Sequence, residues 1–348
     1  MADPITTFRL GNAEKLIFYK EGHYNADLDG KYSGGSVVDN FVLNYENAEF
    51  KHDVSEIAIP QKTGTRVPQK REKYSGRKFS TLTVSGFVNN TNMTNLAYAF
   101  FMGDQSEHDE SKDTHVYVLL DANLDVPISF EVHRRYSNET EDSIYPADTM
   151  KGAICTSLKI AMEDGGRWTY EAEFRGLPFV QEANVYVATA GGPAAYSTLV
   201  VPVGTPALAG NTGTCTIGLI AAGDISVEVS SWDITMSHSF ISDTATFVNS
   251  NTRQREALMS PTLDATFNYL YDSASAKQID DTDFYDQLAV GAVLSIANMV
   301  AHILVSCEGQ ITDMTKSDPD RDVYMVSGSM SISAASSSDT AIAIVTVD

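Results

Sequence analysis

Between Ala153 and Gly176 apolar and polar residues alternate on two arms around Asp164-Gly165-Gly166, and this stretch constrains the fold more than any other. On the first arm Ile154, Leu158, Ile160 and Met162 share one parity, with Ala153, Ser157 and Lys159 on the other. On the second arm Trp168, Tyr170, Ala172 and Phe174 alternate with Arg167, Thr169, Glu171, Glu173 and Arg175. A period of two on either side of turn residues predicts a β-hairpin with one apolar face. Asp and Gly tolerate the positive φ that tight connections between antiparallel strands require. A slip of one residue would turn Trp168 and Phe174 out to water, so the pattern also fixes the register. Leu158, Ile160, Trp168, Tyr170 and Phe174 are the expected core of this hairpin.

At 348 residues the chain has room for two domains of ordinary size. Its 43% hydrophobic and 20% charged residues are those of a folded protein rather than a disordered one. The first residues show no basic region followed by an apolar run, so no secretory signal is expected, and the Asn-x-Thr sequons at Asn89, Asn92 and Asn138 carry little weight. Cys155, Cys215 and Cys307 form no close pair and read as buried thiols. Residues 287–307 lack Asp, Glu, Lys and Arg over a length that could span a bilayer. Polar interruptions, acidic flanks and missing basic anchors favour two consecutive buried strands instead.

The net charge of −22 is unevenly placed. Nineteen of the 24 Lys and Arg residues precede Gly176. Lys62, Arg66, Lys70, Arg71, Lys73, Arg77 and Lys78 crowd one stretch with a single acid, Glu72. The following segment from Asp104 to Met150 holds twelve acids against Lys112, Arg134 and Arg135. Blocks of opposite sign imply complementary surfaces that meet inside the fold or between copies. Strong overall acidity argues against a protein that grips nucleic acid, because affinity for phosphates comes from clustered cations.

The order of elements repeats. A strand near 49–59 leads into a long basic connection, Pro60 to Lys78, and a strand from Phe79. Thr91 or Asn92 then caps a short helix over Met93 to Phe101, strands follow near 115–120 and 128–132, and the hairpin closes the set. A second strand at 226–236 leads into a connection from Ser237 to Pro261 carrying Arg253 and Arg255, then a strand from Thr262. A helix capped by Asp280 or Asp281, apolar strands over 292–305, and a hairpin with arms near 303–312 and 323–332 complete the second set. This predicts a mainly β chain of two tandem modules, residues 1–180 and 226–348, joined by a Gly/Ala/Pro-rich crossing segment, 181–225, with some β-structure of its own.

No nucleophile elbow, phosphate-binding glycine loop or His-Glu-x-x-His pair occurs. His108 and His115 among acids lack the spacing a metal needs and read as an acidic loop. Glu171 and Glu173 read as the solvated face of a strand rather than a carboxylate dyad. Asn25, Asp27 and Asp29 resemble the start of a calcium loop, but its twelfth position is Ser36, and a surface turn is the better reading. Trp168 and Trp232 are expected to fill two separate cores. No catalytic residue, cofactor or metal is expected.

The strand from Phe79, the helix at 93–101, and above all Cys155-Thr-Ser-Leu-Lys-Ile ending at Glu173-Phe-Arg-Gly176 resemble the tail tube proteins of tailed bacteriophages. The resemblance implies tube-like β-sandwich or barrel modules, each with one helix and a long inter-strand loop. It implies a virion structural protein rather than an enzyme, assembled in the host cytoplasm and residing in the tail. Its partners would be itself, in rings of three duplicated copies (six in the alternative arrangement) that stack, and the tape measure, tail terminator and baseplate proteins. A sheath would join them if the tail contracts, and DNA would pass through the lumen without specific binding. By the same resemblance Pro60 to Lys78 and Ser237 to Pro261 would contact the adjacent ring. A β-sandwich decoration or baseplate protein, or a carbohydrate-binding adhesin, is the competing expectation.

Overall fold

The computed structural model describes residues 15–21, 40–58, 73–101, 114–118, 127–135, 147–163, 166–182, 213–219, 223–227, 229–239, 258–259, 261–270, 292–298, 302–316, 325–333 and 341–347. They form seventeen strands, joined through antiparallel pairs, and one helix. The fold is mainly β, as the alternation predicts.

The expected hairpin is β7 (Ala147–Met162) with β8 (Trp168–Gly176), registered from Ile154 opposite Arg175 to Met162 opposite Trp168. Leu158, Ile160, Trp168, Tyr170 and Phe174 are all buried, while Thr169 and Glu171 face solvent. Burying each such side chain contributes roughly 1.5–3 kcal/mol, and a slipped register would forfeit all of them together. β7 is longer than its hairpin arm because it serves two sheets. It changes from one to the other at Gly152, whose φ of 63° lies in the left-handed region that favours glycine. The buried Glu21 carboxylate holds this bend, accepting from the Gly152 amide at 2.8 Å and from the Ser129 hydroxyl.

The first half of β7 belongs to a sheet with β2 (Asn40–Leu43), β1 (Lys15–Lys20), β6 (Phe130–Arg135) and β9 (Val180–Glu182), in the order β2-β1-β6-β7-β9. Its second half continues the sheet β3-β4-β8-β7, with β3 (Asn47–Ala58) and β4 (Lys73–Phe87). The two layers meet through aromatic contacts. Phe18 of β1 stacks on Phe41 within its own layer at 4.7 Å between ring centroids, and reaches Phe174 of the other layer at 4.8 Å. Helix α1 (Asn90–Phe101) packs on β7, and nearly all of it is buried. Its N-cap is Asn89, not Thr91 or Asn92: the Asn89 side-chain oxygen accepts from the Asn92 amide at 2.6 Å. Asn92 lies inside the first turn instead, and its side chain bonds Asn44 both ways, at 2.7 and 3.1 Å.

The second half repeats these pairings. With β10 (Gly213–Leu219), β11 (Gly223–Val227), β14 (Ala292–Asn298), β15 (Ile303–Lys316) and β17 (Ile342–Val347), one row runs β11-β10-β14-β15-β17. With β12 (Val229–Ser237), β13 (Thr262–Leu270) and β16 (Met325–Ile332), the other runs β12-β13-β16-β15. Both hairpins carry a bulge at the same place, at Thr156 in β7 and Thr312 in β15. Each bulged threonine donates its hydroxyl to the partner strand at 3.2 Å, Thr156 to the Glu173 carbonyl and Thr312 to the Ser329 carbonyl. Aligned on these threonines, the pair Val84–Ala172 matches Phe267–Gly328, and Gly86–Tyr170 matches Tyr269–Val326. Large and small residues are redistributed while each pair still fills its layer, as close packing requires.

The strand β10 and the start of β11 fall within residues 181–225, so the repeated pairing begins at Gly213. The helix expected after Asp280 or Asp281 lies outside the described residues. The basic connection differs from its expectation. β4 already begins at Lys73, and β3 reaches Ala58 opposite it, so Lys73, Arg77 and Lys78 lie on a strand. Only 59–72 remains between the two strands.

The halves interlock. β12 pairs with β7, and β17 pairs with β5 (Thr114–Val118) of the first half. Helix α1 lies against β17, where the Thr94 and Thr346 hydroxyls are 2.6 Å apart. Trp168 and Trp232 do not fill separate cores: they meet edge to face at 4.8 Å in one continuous apolar cluster.

Candidate assembly interface

The pairs β3-β4, β4-β8, β8-β7, β7-β12, β12-β13, β13-β16 and β16-β15 make one sheet of eight strands. One face is apolar and buried, through residues such as Leu82, Leu158, Phe174, Ile234, Phe267 and Met330. The other is a carpet of hydroxyls and carboxylates. Rows of facing residues cross it, for example Asn47-Ser85-Glu171-Lys159-Thr235-Asp264-Ser331. Among its charges Glu49, Asp53, Glu171, Glu173, Asp233, Asp264 and Asp313 outnumber Lys51, Lys159 and Arg175. Arg175 is further engaged, its guanidinium 3.9 Å from the centre of the Phe79 ring. Two shallow hollows on this face, of about 250 and 310 Å³, are lined by Lys159, Ala161 and Glu163 together with Glu171 in one and Asp233 in the other.

The seam between the halves is the register Met162–Trp232, Ala161–Asp233, Ile160–Ile234, Lys159–Thr235, Leu158–Met236 and Ser157–Ser237. His238 ends it: its amide donates to the Thr156 carbonyl at 2.8 Å and its ring stacks on Phe100 at 4.4 Å. Burial holds the His238 imidazole below its ordinary pKa, against the opposing pull of hydrogen bonds with the Met259 and Phe100 backbones.

At its two ends the sheet stays open. Among the described residues β3 is paired on one side only, by β4, and β15 from Gln310 to Lys316 on one side only, by β16. The equivalent strands inside the chain, β12 and the second half of β7, pair on both sides. The open edges are polar toward solvent. Lys51 is 68% exposed and lies 3.0 Å from Asp53, which also accepts from the Thr81 hydroxyl at 3.0 Å. Burial alone would raise the Asp53 carboxyl, but the bonds from Lys51 and Thr81 and the charges of Lys51 and Arg175 outweigh it and hold its pKa below the usual value. An unpaired strand presents free amides and carbonyls to any chain that can add to it.

Of the basic residues singled out in the sequence, Lys62, Arg66, Lys70, Arg71, Arg253 and Arg255 lie outside the described residues. Lys73, Arg77 and Lys78 are on β4, with Lys78 exposed. The edge residues Lys51, Asp53, Asp313 and Thr315 escaped sequence reasoning, since an unpaired strand has the same alternation as a paired one. The three thiols are free and buried, and burial pushes Cys215 and Cys307 up to about 12 and raises Cys155 further. Among the described residues no His, Cys, Asp and Glu side chains group as a metal ion would require, and no helix is long and apolar enough to cross a membrane.

No family model matches the sequence, and no curated protein matches it. Among solved structures, a chain from the tail of an empty GTA particle with C6 symmetry is 11% identical, with a TM-score of 0.29, covering 36% of this chain and 94% of that one. A likeness at that level bears no argument about this chain.

Proposed function

We propose that this chain is a virion structural protein without catalytic activity, whose copies join edge to edge into rings that stack into a hollow phage tail tube. The observation that carries this reading is the match between the open edges and the internal seam. The eight-stranded sheet ends on the two kinds of strand that it already joins at β7–β12, so repeating that junction between copies extends the sheet and closes a cylinder. Closure removes the edges altogether, which is how β-proteins avoid indiscriminate edge pairing. The second layer and α1 occupy the apolar face, which puts them on the outside and leaves the hydroxyl and carboxylate face toward the bore.

Such a bore suits the passage of DNA. Each Lys or Arg on a phosphate adds affinity through counterion release and would slow the strand. A wall of Ser, Thr, Asp and Glu offers little of this, and its carboxylates repel DNA weakly over about 8 Å at physiological salt. Three copies of a duplicated chain make six modules per ring. The connections 59–72 and 240–257, carrying Lys62, Arg66, Lys70, Arg71, Arg253 and Arg255, would press on acidic segments of the next ring, and tape measure, terminator and baseplate proteins would complete the tail. Negative-stain microscopy of purified protein tests the reading: stacked rings of constant bore are expected, and Lys70→Glu with Arg71→Glu should leave rings but prevent stacking. Discrete monomeric particles at every concentration would overturn it.

A further inference from the structure

We infer that the open edge of β15 in one copy adds to the open edge of β3 in a second copy, antiparallel, with Asp313 opposite Asp53, Met314 opposite His52, Thr315 opposite Lys51 and Lys316 opposite Phe50. The inference rests on the ring reading and specifies its seam. The register is carried over from the chain's own junction. The bulge threonines equate Ser157, Leu158, Lys159 and Ile160 with Asp313, Met314, Thr315 and Lys316. Following the pairings through β4 and β13 equates Ser237, Met236, Thr235 and Ile234 with Asp53, His52, Lys51 and Phe50. The internal seam pairs these equivalents as Ser157–Ser237, Leu158–Met236, Lys159–Thr235 and Ile160–Ile234.

The carried-over register makes chemical sense on the polar face. Each seam then holds one lysine facing one threonine, with the strands exchanged: Lys159 with Thr235 within a chain, Thr315 with Lys51 between chains. Asp53 facing Asp313 would repel, since like charges directly opposite are destabilising in a sheet. Lys51 already touches Asp53 and stands diagonal to Asp313, within reach of a long side chain. It therefore binds both carboxylates across the seam and offsets their repulsion, so the seam closes more readily with that cation in place.

Full-length protein carrying Lys51→Thr should assemble at a concentration raised about fivefold, the scale of an opposite-charge cross-strand pair, with the monomer's melting temperature lowered only slightly, because the Lys51–Asp53 pair it removes is a surface one. Adding Thr315→Lys, which rebuilds the internal Lys159–Thr235 arrangement, should restore assembly; no shift in Lys51→Thr overturns the role of the cation. The register is read by oxidation of Asp53→Cys/Asp313→Cys protein, which should link copies covalently, while Glu49→Cys/Asp313→Cys should not. The native thiols are buried and stay silent. Rings that link through the second pair and not the first would overturn the register and leave the ring standing. A wild-type protein that forms no rings would overturn both.

Discussion

Gly328 shows at the scale of one residue how two halves of unlike sequence build one design. A Cβ there would run into the ring of Phe267, because that layer is filled by one large side chain and one hydrogen. The equivalent layer in the first half is filled by Val84 and Ala172. Gly328→Ala is therefore expected to destabilise the fold by about 1–3 kcal/mol, the range for overpacking a tight core. Adding Phe267→Val should return most of the loss, since the pair then copies Val84 with Ala172. Urea unfolding of the single and double variants checks this, and additive losses would show that the two residues do not share the layer. This complementarity is invisible along the sequence, because only the pairing reveals which residue answers which.

Among the elements, the hairpin of β7 and β8 was legible from Ser157 to Phe174, since its alternation leaves one register that buries Trp168 and Phe174, but the bulge at Thr156 was not, and it puts Cys155 rather than Ile154 on the face of Leu158. The bend in β7 was not, because it depends on Glu21, which is distant in sequence and reaches Gly152 only in the fold. Nor was the start of β4: its basic residues Lys73, Arg77 and Lys78 look like a loop by composition, yet β3 pairs with that stretch. The seam of β7 with β12 ends on a titratable group. His238 is held neutral by burial, so its folded pKa is below the ordinary 6.5 and the unfolded chain binds the proton more readily. The stability this lends the seam is present above about pH 6.5 and is lost as pH falls from there toward the folded pKa. Thermal melts between pH 7 and 5 should show a smaller acid-induced drop in His238→Phe than in the wild type. An equal drop would place the acid sensitivity elsewhere.

For the molecule as a whole, the mainly β character was readable, while the way the halves join was not. Residues such as Thr94, Trp168 and Thr346 carry no mark of being cross-half contacts, and only the fold brings them together. Among the described residues the chain links its own repeats through β7 and β12 and leaves β3 and the second half of β15 paired on one side only, and the proposed assembly carries that junction on into another copy. Hydrogen exchange compared between dilute monomer and assembled protein tests this most directly. Peptides covering residues 47–54 and 310–316 should keep a rapidly exchanging set of outward-facing amides in the monomer and lose it on assembly, while those covering 157–162 and 232–237 are protected in both. Equal protection of the two edges in both states, or assembly that leaves them exchanging freely, would contradict it.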